Sequence, residues 1–156
     1  YPGGPGIEKL ALEGKISYNL PKPLVDNTYN ISYSGLKSYI INLVHNEKQR
    51  DNEIRKADLA ASFQYVAIAE LSRKLDLALK NTNIRNVIVA GGVSANKYLR
   101  NEIYKVAKKY KAKLNIPDFI YCTDNAAMIG AAAYPLYLKK DFADYSLNAE
   151  SQANIT

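Results

Sequence analysis

The chain has 156 residues, 47% of them hydrophobic and 23% charged, which suits one folded domain with a real core and argues against a disordered segment. No apolar run reaches the roughly 18 residues of a membrane-spanning helix, so no membrane partner is expected. The formal charge of +6 permits a nucleic-acid partner without requiring one, and Cys122 as sole cysteine excludes an intrachain disulfide and points to a reducing compartment.

The chain opens on YPGGPG, a turn motif that ordinarily follows something, so it reads as a piece of a longer protein with no visible signal peptide. A short helix is expected over residues 7–13, with Gly14 placed to end it. Residues 16–20 read as a strand, Pro21, Pro23, Asp26 and Asn27 as a loop, and the alternating residues 29–33 as a second, half-buried strand. Ser34 and Gly35 open a helix whose Leu36, Ile40, Leu43 and Val44 share one face. Residues 45–51 are a polar connector. A long helix follows over residues 53–80, with Ile54, Ala57, Ala61, Tyr65, Ile68, Leu71 and Leu75 recurring at steps of three and four.

The most informative stretch is IRNVIVAGGVSANKYLR. Apolar β-formers over residues 87–90 belong to a strand of a central sheet and stop at Gly91 and Gly92. A helix then opens near Ser94 and runs over residues 95–110. Glycines let another molecule approach the backbone, and the free N–H groups of a helix start attract anions. Read alone, the diglycine is first a tight strand-to-helix turn and second a nucleotide contact. Short strands are expected over residues 114–116 and 119–121, on either side of Pro117. The last helix covers residues 124–139, and residues 141–156 form a polar tail, frayed at its end. Asp124 stands where a strand gives way to this helix. Taken alone it is an N-cap or a ligand for a metal or nucleotide. Ala126, Ala127, Gly130, Ala131, Ala132 and Ala133 suit close packing against a neighbour.

Residues of lesser promise can be weighed in the same way. His45, the only histidine, lies in the polar connector and reads as a solvated side chain. Cys122 reads as structural. Lys105, Lys108, Lys109, Lys111 and Lys113 read first as a solvated helix face and second as an RNA-backbone contact. Tyr39, Tyr65, Tyr104 and Tyr110 fall at core-like spacings. A protease would need a nucleophile with its base, or a zinc motif such as HExxH, and neither occurs.

Five motifs in order, YPGGPG-IEKLA, ISYSGLK, DLAASFQ, VIVAGGVSAN-KYLR and YCTDNAAMIGAAA, resemble the C-terminal half of the TsaD family, the tRNA threonylcarbamoyladenosine transferases formerly called glycoproteases. The resemblance reaches to about Leu138 and is nearest the bacterial branch. It implies an α/β fold, the second lobe of an actin-like, sugar-kinase-like, Hsp70-like ATPase fold, helix-rich with a small mixed sheet. Residues 1–140 would be that lobe and residues 141–156 the tail. It implies transfer of a threonylcarbamoyl group from threonylcarbamoyl-AMP to N6 of adenine 37 in ANN-decoding tRNAs. It further implies a divalent metal, iron or zinc, TsaB-like and TsaE-like partner proteins, and a cytoplasmic setting. Gly4 and Asn96 would contact the nucleotide, Gly91 and Gly92 would border its phosphate region, and Asp124 would ligate the metal with two histidines of an HxxxH motif. That motif is absent here, so the piece alone is expected to be inactive and to hold no stoichiometric metal. Ile31 and Tyr33 stand where the family often has two phenylalanines, a swap that keeps bulk. The alternatives are an ATP-binding lobe without tRNA chemistry and a non-catalytic interaction module.

Overall fold

The computed structural model describes residues 3–24 and 26–149. Five helices carry most of it: α1 (Gly3–Leu12), α2 (Ser34–Gln49), α3 (Lys56–Asn81), α4 (Lys97–Lys109) and α5 (Ala126–Lys139). Two short strands, β1 (Asn86–Ile88) and β2 (Lys113–Asn115), pair in parallel, with Val87 opposite Leu114. A parallel pair cannot close through a tight turn, and here α4 supplies the crossover, giving one βαβ unit. The fold is therefore helix-rich α/β, as expected, but the sheet is parallel and two-stranded among the described residues, not mixed.

The long helix α3 is the spine. Near its start, Ala60 and Ala61 meet Ala11 and Ile7 of α1. Further along, Ile68 packs with Leu99 and Ile103 of α4, joined by Leu71, Leu75, Val89, Tyr98 and Leu114. The expected apolar face is thus largely the observed one, except that Tyr65 is exposed. Tyr39 and Tyr104 are exposed as well, so tyrosine spacing overstated the core.

Gly14 does more than end α1. A Cβ there would lie 2.0 Å from the Ala57 carbonyl oxygen and 2.8 Å from the Asp58 nitrogen, so the chain crosses the first turn of α3 at a distance only glycine allows. This crossing also explains why residues 16–20 form no strand. The Lys15 N–H donates to Asp58 Oδ1 at 2.8 Å, and the Ser17 and Tyr18 N–H groups both donate to Ser62 Oγ at 3.1 Å. Side chains of α3 thereby satisfy backbone donors that a sheet would otherwise have claimed.

Residues 29–33 are not a strand either. The loop before α2 is pinned to α3 by buried charge that the sequence reading missed. Lys74, 4% exposed, bonds the Asp26 carboxylate and donates to the Thr28 carbonyl at 2.7 Å. Glu70, also 4% exposed, accepts two bonds from Arg73 at 3.0 and 2.9 Å, and Arg73 in turn donates to the carbonyls of Asp26 and Leu24. Tyr33 donates to the Ala67 carbonyl at 2.8 Å, and burial, with the Glu70 charge adding, pushes its phenol up to about 12. Removing one member of such a network strands its partners. Lys74→Met is expected to cost about 3 kcal/mol in denaturant unfolding at neutral pH. The Lys74 hydrogen bond above all holds the Asp26 carboxyl below its ordinary value. Asp26 therefore contributes stability above the ordinary carboxylate value of about 4, and loses it as pH falls through the lower folded value. Lys74→Met should flatten that acid limb, and an unchanged limb would show that the pair does not hold the loop.

Several boundaries move. Helix α1 begins at Gly3 rather than at residue 7, with Pro5 in the first turn where a missing N–H costs nothing. Residues 45–49, expected as connector, are helical, and the exposed His45 bonds Gln49 one turn on at 3.0 Å. Residues 119–121 form a 3₁₀ turn instead of a strand. Helix α5 is apolar and small-residue-rich, yet none of its residues is buried, so the close packing expected of it is not found within the described chain. The expected fraying of the tail end falls on residues 150–156, outside the described residues.

Candidate nucleotide-binding edge

The turn after β1 is built as a strand-to-helix junction open to approach. Gly91 has φ of +90°, a region that L side chains rarely adopt, and Gly92–Ala95 then form one 3₁₀ turn. The predicted helix start at residue 95 is thus split, a 3₁₀ turn followed by α4 proper from Lys97. A Cβ at Gly92 or at Gly4 would meet nothing within 4 Å, so the chain's own packing gives no reason for glycine at either place. Ser94, 1% exposed, has a hydroxyl with no hydrogen-bond partner among the described residues.

Asn96 is the N-cap of α4. Its Oδ1 accepts from the Leu99 N–H at 2.8 Å, and its Nδ2 donates to Gln64 Oε1 of α3 at 2.8 Å. One lone pair and one N–H remain for a ligand. The side chain is therefore held by α3 and α4 at once, and it stands at the positive end of α4, where an anion is favoured.

Helix α1 meets the start of α4. Glu8 Oε1 accepts from the Lys97 N–H at 2.8 Å, and Glu8 lies one helical turn beyond Gly4. Gly91, Gly92 and Asn96 are contiguous through the 3₁₀ turn and the α4 cap, and α1, which carries Gly4, is tied to the start of α4 through Glu8.

Asp124 lies two residues before α5, and it is not the cap. Asn125 takes that role, its Oδ1 accepting from the Met128 N–H at 2.9 Å while its Nδ2 donates to the Thr123 carbonyl at 2.8 Å. The cap reading of Asp124 is corrected accordingly. Its carboxylate is exposed and has no hydrogen bond or ion pair among the described residues. Nor do the described residues contain any group of three His, Cys, Asp or Glu side chains able to hold a metal. Asp124 fits a metal as one ligand of a set completed from elsewhere, not as a centre by itself.

The 117–124 segment is joined to the glycine turn by a residue that sequence reasoning passed over. Arg100, one turn into α4, donates to the carbonyls of Ser94 and Pro117 and to Cys122 Sγ. Its position four residues after Asn96 was the available signal, because it puts the side chain on the cap's face of the helix. Cys122 is 2% exposed and serves structure, as expected. In the basic run, Lys105 pairs with Glu102 and Lys109 with Asp76, while Lys108, Lys111 and Lys113 are exposed with no ion pair among the described residues.

A parallel βαβ unit with a glycine turn at the strand's carboxyl end makes this a helix-rich α/β chain. Comparison with known proteins gives its family. A family model described as "TsaD: tRNA N6-adenosine threonylcarbamoyltransferase" matches residues 1–131, and the chain belongs to this family. It is 45% identical to a Staphylococcus epidermidis protein named tRNA N6-adenosine threonylcarbamoyltransferase, over 99% of the chain and 46% of the relative. A Mycoplasma capricolum protein of the same name is 50% identical over 90% of the chain and 45% of its own length. A Staphylococcus aureus protein, also of that name, is 42% identical over 99% and 46%. The chain spans about half the length of the curated relatives it matches. No helix among the described residues is long and apolar enough to cross a membrane.

Proposed function

We propose that this chain acts as the second lobe of a tRNA threonylcarbamoyltransferase of actin-like, sugar-kinase-like, Hsp70-like architecture, in a two-lobed cytoplasmic protein whose nucleotide cleft lies between the lobes. The reaction moves a threonylcarbamoyl group from threonylcarbamoyl-AMP to N6 of adenine 37 in ANN-decoding tRNAs. The exocyclic amine attacks the carbamoyl carbonyl carbon, the bond to the phosphate oxygen breaks, AMP leaves with the electron pair, and N6 gives up a proton. The observation that carries this reading is the Gly91–Gly92 turn leading into the Asn96 cap, with α1 tied to the start of α4 through the Glu8–Lys97 bond, in a chain of this family.

The residues divide the work. Gly4, Gly91 and Gly92 let the nucleotide lie against the backbone, and the start of α4 offers partial positive charge to the phosphate. Asn96 supplies its remaining lone pair and N–H to the nucleotide's polar groups. Asp124 contributes one ligand to an iron or zinc ion shared with two histidines of the other lobe. When bound, that ion supplies Lewis-acid polarisation of the carbamoyl oxygen. Lys108, Lys111 and Lys113, uncommitted to ion pairs, suit contact with the tRNA backbone. TsaB-like and TsaE-like proteins complete the expected assembly.

Calorimetric titration of the two-lobed protein with a stable threonylcarbamoyl-adenylate analogue tests the nucleotide edge. Asn96→Ala is expected to weaken the analogue on the order of tenfold, the loss of a directed hydrogen bond and a disturbed cap. Gly92→Val should weaken it further, because a Cβ at Gly92 meets nothing within 4 Å in this chain and the added bulk stands where the ligand would lie. Affinity for tRNA should change little in both. Unchanged affinity for the analogue in both variants would return the diglycine to a purely structural turn.

A further inference from the structure

Arg100 stands between the two parts of the site that lie on different segments. Its Nε donates to the Ser94 carbonyl at 2.6 Å, inside the glycine turn. Its Nη2 donates to the Pro117 carbonyl at 2.8 Å and to Cys122 Sγ at 3.2 Å, in the segment that ends at Asp124. The guanidinium also lies over the Phe119 ring, 4.1 Å from its centroid. One planar group therefore fixes the turn at one edge and the 117–122 segment at the other, in the fork geometry that a lysine cannot reproduce.

Each segment is a short turn with few bonds of its own. The glycine turn, with Gly91 at positive φ, is closed by the Ser94 N–H to the Gly91 carbonyl at 2.9 Å and the Asn96 N–H to the Val93 carbonyl at 3.0 Å, and the Arg100 bond to the Ser94 carbonyl is added to these. The 117–124 segment has a single 3₁₀ turn, Phe119–Tyr121, and no strand pairing. Residues 118–121 are exposed, and Cys122 is the buried anchor, held by the Arg100 donor and by its own weak contact with the Asp118 carbonyl.

The geometry points to Arg100 as a positioning residue that sets the nucleotide turn and Asp124 in register with each other. The inference rests on the nucleotide reading of the glycine turn proposed above. Arg100 touches no substrate in this scheme. Its part is to keep the backbone at residues 91–96 and the approach to Asp124 in one arrangement, so that the adenylate end of the substrate and the ligand for the metal face the same reacting group.

The test compares Arg100→Lys with wild type in the two-lobed protein. Hydrogen exchange reads the two segments, calorimetry reads the adenylate analogue, and steady-state kinetics read tRNA. Arg100→Lys keeps the charge but reaches at most one of the two carbonyls. Exchange is expected to rise on the order of tenfold in both residues 91–96 and residues 117–124, with α3 and the body of α4 as protected as in wild type. Analogue affinity should fall about tenfold while the KM for tRNA stays within about twofold, a split that general destabilisation would not produce. Phe119→Leu removes the ring beneath the guanidinium and keeps its hydrogen bonds. It should give a smaller rise with the same two-segment pattern, which decides the matter if Arg100→Lys misfolds. Exchange rising in one segment only, or analogue affinity unchanged despite looser segments, overturns the positioning role. A wild type that fails to bind the analogue overturns instead the functional reading beneath it.

Discussion

Asp124→Ala in the two-lobed protein is expected to lower tRNA modification by at least roughly 100-fold while leaving the fold intact. The chemical reason is the loss of one of about three ligands, which leaves too few to hold a catalytic metal. The structural reason that the fold survives is that Asn125, not Asp124, caps α5, and that Asp124 is exposed with no hydrogen bond or ion pair among the described residues. A surface substitution of this kind costs within about 0.5 kcal/mol. Asn125→Ala is the matched control. It should cost about 1 kcal/mol of stability through the lost cap and leave metal content near wild type. Metal analysis, thermal unfolding and nucleoside mass spectrometry on the two variants separate these effects. Full metal content in Asp124→Ala, with activity retained, would remove this residue from the site.

The second large effect is expected at Gly14. In Gly14→Ala the new Cβ would sit 2.0 Å from the Ala57 oxygen and 2.3 Å from its carbonyl carbon, both backbone atoms that cannot rotate away. Relief requires the chain to lift off the first turn of α3. That movement would strain the bonds from Lys15 to Asp58 and from Ser17 and Tyr18 to Ser62, and would loosen the Ala11–Ala60–Ala61 contact beside them. A cost of about 3 kcal/mol is expected, at the upper end for overpacking. Gly6→Ala is the control within the same helix. Its Cβ meets nothing, so helix propensity should make it neutral or stabilising by up to about 1 kcal/mol. Chemical denaturation of both variants checks the pair, and equal stability of Gly14→Ala and wild type would contradict the close crossing.

Helical periodicity and glycine turns were legible because they record local requirements. The step of three and four along α3 marks the face that meets α1 and α4, and the apolar run ending at Gly91 marks a strand that must give way to a helix. What was not legible depended on partners distant in sequence. Residues 16–20 and 29–33 alternate like strands, but Ser62, Asp58 and Lys74, more than forty residues away, bind their backbone or the loop between them, and no neighbouring strand is supplied. The burial of Lys74 and Glu70 ran against the default that charges face water, and their pairing with each other, with Asp26 and with Arg73 makes it tolerable. At Asp124 and Asn125 two adjacent capping residues competed, and sequence alone does not tell which one turns its oxygen to the helix. Arg100 resembled an ordinary exposed helix charge until the 117–122 segment was brought against it. The family itself was legible through the order of its motifs rather than through any one of them.

As proposed, this chain forms the adenylate-holding lobe of a threonylcarbamoyltransferase. The most direct test is to incubate the two-lobed protein with threonylcarbamoyl-AMP and an unmodified ANN-decoding tRNA, then quantify modified nucleosides by mass spectrometry. The expected products are threonylcarbamoyl on N6 of adenine 37 and AMP in equal amount, with both lost in Asp124→Ala. Absence of modified adenosine, with threonylcarbamoyl-AMP left intact or merely hydrolysed, under conditions where the protein is folded and metal-loaded, would contradict it.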